Sequence, residues 1–148
     1  MKKVLFSLMM VFVATLTTDA IAQEEVVNGA KIEFEKDKHD YGSIKYGADG
    51  QCTFDFKNTG SAPLIISNAK GSCGCTVPSW PKEPIAPGQT ATITVKYDTK
   101  RPGAINKSVT ITSNAVNEPT KVIRITGNVG PKPDAGAPVN NAGAPMNN

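Results

Sequence analysis

Between Thr90 and Tyr97 the chain alternates without a break: Ala91, Ile93, Val95 and Tyr97 fall on one side of an extended backbone, and Thr90, Thr92, Thr94 and Lys96 on the other. Successive side chains of a strand point to opposite faces, so this pattern demands a strand with one buried and one wetted face. The same period recurs at Cys52, Phe54 and Phe56 against Gln51, Thr53, Asp55 and Lys57, and more briefly at Ile32 and Phe34. His39 to Ile44 reads as a further extended piece. Leu64-Ile65-Ile66 is apolar on both faces, which predicts an interior strand. Ile105, Val109 and Ile111 mark another strand, and Ile123, Ile125 and Val129 the last. Asp49-Gly50, Asn58-Thr59-Gly60, Pro87-Gly88 and Pro102-Gly103 punctuate them with turn chemistry, and the two Pro-Gly pairs suit the centre of a type II turn.

No stretch beyond Ala22 repeats apolar residues at helical spacing for long enough to make a helix. About seven short strands within about 100 residues predict an all-β, immunoglobulin-like β-sandwich. Phe54, Phe56, Leu64, Ile66, Ile93, Val95, Val109, Ile111, Ile123 and Ile125 are its expected core, with Thr92, Thr94, Lys96 and Thr110 outside.

The ends of the chain carry different signals. Lys2 and Lys3 precede a 13-residue apolar run, Val4 to Leu16, and Ala20-Ile21-Ala22 has the small-x-small form of a cleavage site. Residues 1–22 are therefore expected to be a bacterial signal peptide cut between Ala22 and Gln23, since so short a run does not span a bilayer. No stable membrane insertion is expected after that cut. Removing Lys2, Lys3 and Asp19 lowers the formal charge from +3 to +2. The remaining charges are scattered and form no basic stripe, which argues against nucleic-acid binding. Residues 23–30 read as a leader, 31–130 as the folded domain, and 131–148, rich in Pro, Gly, Ala and Asn, as a disordered tail with too little apolar surface to fold.

Three cysteines in an exported chain leave at least one thiol unpaired within it. Cys52 lies on the Phe54/Phe56 face and reads as a small core hydrophobe. Cys73-Gly74-Cys75-Thr76 is a Gly-containing loop in which Gly74 is expected to supply a conformation that other residues resist. A disulfide between Cys73 and Cys75 closes so short a loop that chain entropy contributes only about 1.6 kcal/mol, against about 3.4 kcal/mol for Cys52 to Cys73. A bond kept for stability would thus join Cys52 to one of the pair, while a Cys73–Cys75 bond reads as strained, reducible and functional. Two further readings stand beside these. Cys73 and Cys75 are weak candidates for a soft metal ion, but two ligands leave a tetrahedral site incomplete and the single histidine, His39, is 34 positions away. They also fit a plain structural turn of free thiols.

A nucleophile and base made of Cys73 and His39 lacks a local signature and an orienting group, so no catalytic residue is assigned. Trp80, between Pro78 and Pro81, reads as a lid on the core or as a binding platform beside the cysteine loop. Asn106-Lys107-Ser108 matches a glycosylation sequon, which has little weight in a bacterial exported protein.

The series His39-Asp40-Tyr41-Gly42-x-Ile44, Phe54-x-Phe56-x-Asn58-Thr59-Gly60-x-x-Pro63-Leu64-x-Ile66, Cys73-Gly74-Cys75-Thr76, Pro84-Ile85-x-Pro87-Gly88, Ser113-Asn114 and Ile125-x-Gly127 resembles the bacterial family called domain of unknown function 1573. Cys52 is no part of that pattern. The resemblance implies an Ig-like fold similar to the ASH and MSP modules of ciliary and sperm proteins, which serve binding or assembly rather than catalysis.

The expectation is an exported, non-enzymatic binding or assembly module of the bacterial envelope (periplasm, outer surface or medium). It would need no cofactor, would engage a protein or envelope component, and would use a contact surface comprising Cys73, Gly74, Cys75, Thr76 and Trp80. The rival is a thiol-redox or soft-metal protein working through Cys73 and Cys75.

Overall fold

A computed structural model describes residues 28–134. The expected signal peptide with its Ala22–Gln23 cut, most of the leader and the tail from residue 135 onward lie outside the described residues.

Eight strands form two four-stranded sheets, with no helix among the described residues. Strands β1 (Ile32–Phe34), β3 (Gln51–Asn58), β6 (Thr90–Tyr97) and β5 (Thr76–Ser79) make one sheet in that spatial order. Strands β2 (Lys38–Ile44), β8 (Thr120–Val129), β7 (Gly103–Ser113) and β4 (Ile66–Gly71) make the other. Every pairing is antiparallel except β2 with β8, where the chain has switched sheets after β1 and returns alongside the last strand. This is an Ig-like sandwich.

The alternation seen in the sequence fixes the faces. All ten residues expected inside are buried, Phe54, Phe56, Leu64, Ile93, Val95 and Ile123 completely so. Thr92, Lys96 and Thr110 are exposed and Thr94 is half-exposed. On the wetted face of the first sheet Thr92 donates its hydroxyl to Asp55, 2.6 Å away. The Pro87-Gly88 turn forms as expected, with Gly88 at φ +79° and Gln89 N–H donating to the Ala86 carbonyl.

The stretch Leu64-Ile65-Ile66 departs from expectation. It is no interior strand: Leu64 makes a single bridge to Ile85, Ile65 is 44% exposed, and Ile66 opens β4, an edge strand. The chain is crossing between sheets here, and the Asn114 side chain, instead of a neighbouring strand, accepts the Ile65 N–H. The eighth strand, β5, was hidden in the sequence by Pro78. Asp98 N–H donates to the Cys75 carbonyl, which sets residues 75, 77 and 79 to bond β6 and turns the donorless nitrogen of Pro78 away from the ladder.

Three asparagines close the end of the sandwich where β3 finishes. Asn58 is fully buried yet uses its whole amide: Oδ1 accepts from Lys31 and Gly60, and Nδ2 donates to Ala62 and Ile85. Asn114 accepts the Ile65 N–H and donates to the Pro63 carbonyl. Asn117 takes both backbone groups of Ile32 on the outer edge of β1, at 3.0 and 2.8 Å.

Candidate functional site at the disulfide end

The opposite end of the sandwich is built where β4 crosses to β5. Cys73 and Cys75 are joined there by a disulfide with a Cα–Cα distance of 5.2 Å, inside the range disulfides ordinarily span. Hydrogen bonds fix the loop on both sides. Ser72 N–H donates to the Ser108 carbonyl, Ser108 N–H to Ser72 Oγ, Thr76 N–H to the Cys73 carbonyl and Asp98 N–H to the Cys75 carbonyl.

The two sulfurs differ. Cys75 is buried and Cys73 only half-buried. The Cys75 N–H points at Cys73 Sγ from 3.3 Å, and Thr76 Oγ1 lies 3.6 Å from Cys73 Sγ and 3.8 Å from Cys75 Sγ. Gly74 is exposed, its φ is outside the left-handed region, and a Cβ there would meet nothing. The special conformation expected of Gly74 is therefore absent; what glycine contributes is an unobstructed approach.

Cys52 stays free and buried on β3, which removes it as a disulfide partner. Geometry explains this. Cys52 pairs with Val95, which pairs with Pro78 on the far side of β6. Two strand spacings are about 9.5 Å, and Cys75 lies three residues further along, about 14 Å away in all, far beyond disulfide reach. Burial pushes the Cys52 thiol up in pKa and keeps it protonated, with Tyr41 beside it as a weaker opposing influence. Tyr41 donates its hydroxyl to the Gly50 carbonyl at 2.6 Å, tying β2 to the start of β3.

Trp80 sits at the other end of β5 from the cysteines. Its ring packs on the core, its indole N–H donates to the Ile66 carbonyl at 3.1 Å, and Lys82 Nζ lies 3.1 Å from the ring centroid. It lids the side of the sandwich where β4 and β5 run together. The structure thus brings Cys73, Gly74, Cys75 and Thr76 into one turn and leaves Trp80 out of it. His39 lies on β2, at the opposite edge of the second sheet from β4, edge-on to Tyr41 with ring centroids 4.6 Å apart. Burial and Lys36 lower its pKa, against a weaker pull from Asp40. His39 and Cys73 are not assembled into a pair, and no group of three metal-ligating side chains occurs among the described residues.

Sequence reasoning missed a cleft of about 540 Å³ beside the disulfide, walled by the 47–50 turn, Gly74, Cys75, Val77 and the 96–100 segment. Val77, 61% exposed, is its apolar lip, and Lys96, Lys100, Asp49 and Asp98 give it both signs of charge. The signal lay within β5, where Val77 alternates outward from buried Thr76.

The same architecture occurs in solved structures of low sequence identity, which speak to fold alone. A protein of unknown function from Porphyromonas gingivalis W83 superposes with a TM-score of 0.61 at 15% identity, covering 74% of this chain and 51% of that one. The chain thus spans about half the length of that protein. The ASH / PapD-like domain of human CEP192 gives 0.55 at 10% identity, over 70% of this chain and 89% of that one. The secreted serine protease VesC from Vibrio cholerae gives 0.52 at 13% identity, over 67% of this chain but only 23% of the protease. No match is found among curated proteins. Residues 32–129, from the first strand to the last, match the sequence model described as "Protein of unknown function (DUF1573)", and the chain belongs to that family.

Proposed function

We propose that this chain is an exported, non-enzymatic Ig-like binding module of the bacterial envelope that meets a protein partner through its disulfide end. The observation carrying this reading is a coincidence at that end: an open cleft lies beside Val77, the most exposed large apolar side chain among the described residues. An apolar contact ringed by polar and charged groups is the anatomy of a protein interface. The partner would present a small apolar side chain to Val77 and opposite charges to Lys96, Lys100, Asp49 and Asp98. Export is supported by the basic and apolar N-terminal segment and by the disulfide, which persists in oxidising compartments.

Affinity capture from envelope extract tests the proposal, comparing the native chain with Val77→Asp. The native chain should retain a partner that Val77→Asp loses while its thermal midpoint stays unchanged. No partner above background, together with turnover in activity screens, would overturn the reading.

A further inference from the structure

We propose that Cys73–Cys75 is a thiol–disulfide exchange site, attacked at Cys73 by an external dithiol, with Cys75 as the departing sulfur and Thr76 as the donor that stabilises it. The proposal stands on the geometry of the turn and not on the identity of any binding partner.

Four observations carry it. First, attack favours the more exposed cysteine, and Cys73 is half-buried whereas Cys75, although it borders the cleft, is buried. Second, a sulfur leaving as a thiolate into a buried site needs a hydrogen-bond donor there. A disulfide sulfur has no proton to give, so the Thr76 hydroxyl is the donor toward whichever sulfur its single proton faces. Its oxygen lies 3.8 Å from Cys75 Sγ, close enough to turn to it as it leaves. The Cys73 sulfur has donors of its own, the Cys75 N–H at 3.3 Å and the same hydroxyl at 3.6 Å, which receive its thiolate when it is released in turn. Third, backbone bonds to Ser108 and Asp98 hold the turn whether or not the sulfurs are joined, so reduction leaves the fold in place. Fourth, the bare Gly74 and the neighbouring cleft leave room for a second protein against the loop.

The steps balance. A thiolate of the external dithiol attacks Cys73 Sγ, a mixed disulfide forms, the Cys73–Cys75 bond breaks, and Cys75 leaves as a thiolate that takes up a proton. The second thiol of the reductant, once deprotonated, attacks its own sulfur in the mixed disulfide and expels Cys73. The reductant becomes a disulfide, and this chain gains two electrons and two protons. The reverse sequence reoxidises it, with buried Cys75 attacking a mixed disulfide held on Cys73.

The test uses the full chain with dithiothreitol as the dithiol, an iodoacetamide quench, and mass spectrometry. Cys73 and Cys75 should be alkylated and Cys52 not, while the near-ultraviolet circular dichroism of the fold persists. Thr76→Val should slow the reduction about three- to tenfold, the equivalent of one hydrogen bond, and Thr76→Ser should restore it. Should Thr76→Val fail to fold, single-cysteine variants decide. Cys75→Ser, keeping Cys73, should form a mixed disulfide with oxidised glutathione at least about tenfold faster than Cys73→Ser, which keeps Cys75. The proposal fails if reduction requires unfolding, if all three cysteines are alkylated together, if folded Thr76→Val reacts as fast as the native chain, or if Cys75 proves as reactive as Cys73.

Discussion

Asn58, Asn114 and Asn117 perform with side-chain amides, at one end of the sandwich, what strand pairing performs elsewhere. Asn117 is the clearest case, because its amide satisfies both backbone groups of Ile32 on the open edge of β1. Asn117→Ala should lower stability by about 1–3 kcal/mol through two unsatisfied groups, whereas Asn106→Ala, at an exposed position of β7, should change it by less than about 0.5 kcal/mol. Denaturant titration of the two variants measures the difference. In the sequence Asn58 was legible only as part of a turn signal, Asn114 only as part of the family pattern, and Asn117 not at all, because the backbone groups they satisfy lie as far as 85 residues away. The cysteines were half legible. Their odd number left one thiol unpaired, but loop entropy favoured Cys52 as a partner, and only strand order shows that β6 stands between Cys52 and the turn.

Strands with one wetted face announced themselves, and those that break the alternation did not. The β3 and β6 faces follow the sequence residue by residue, which supports a paired prediction. Phe56 is fully buried, its ring 5.3 Å from that of Phe34, and Phe56→Ala should cost about 3–5 kcal/mol. Thr94→Ala, on the opposite face, should cost well under about 1 kcal/mol. Comparable losses from the two substitutions, read from chemical denaturation, would contradict a sheet wetted on one side. β5 escaped notice because Pro78 argues against a strand and only an edge position tolerates it. The β4–β5 crossover supplies a second pair. A Cβ on Gly71 would overlap the Thr76 carbonyl, while one on Gly74 meets open space. Gly71→Ala should therefore cost about 1–3 kcal/mol and Gly74→Ala almost nothing, as thermal midpoints would show.

An isolated sandwich has four strand edges that invite pairing with other chains, and each is managed here. β1 is three residues long and clamped by Asn117. β2 carries Lys38 and Asp40 outward, and its register is broken between Asp40 and Ser43, where Gly127 (φ +146°) packs close against the Gly42 carbonyl. β4 and β5 run side by side beneath Trp80. The architecture was legible as a class from strand count and turn spacing. The division between an end tied together by three asparagines and an end that carries the disulfide and its cleft was not, because it depends on which loops share an end. The measurement that tests this division most directly is photo-crosslinking in cells that make the protein natively, with the reactive group placed at Val77 or at Thr110 on the outer face of the second sheet. The account predicts a discrete protein adduct from Val77 and none from Thr110; adducts from Thr110 with none from Val77 would contradict it.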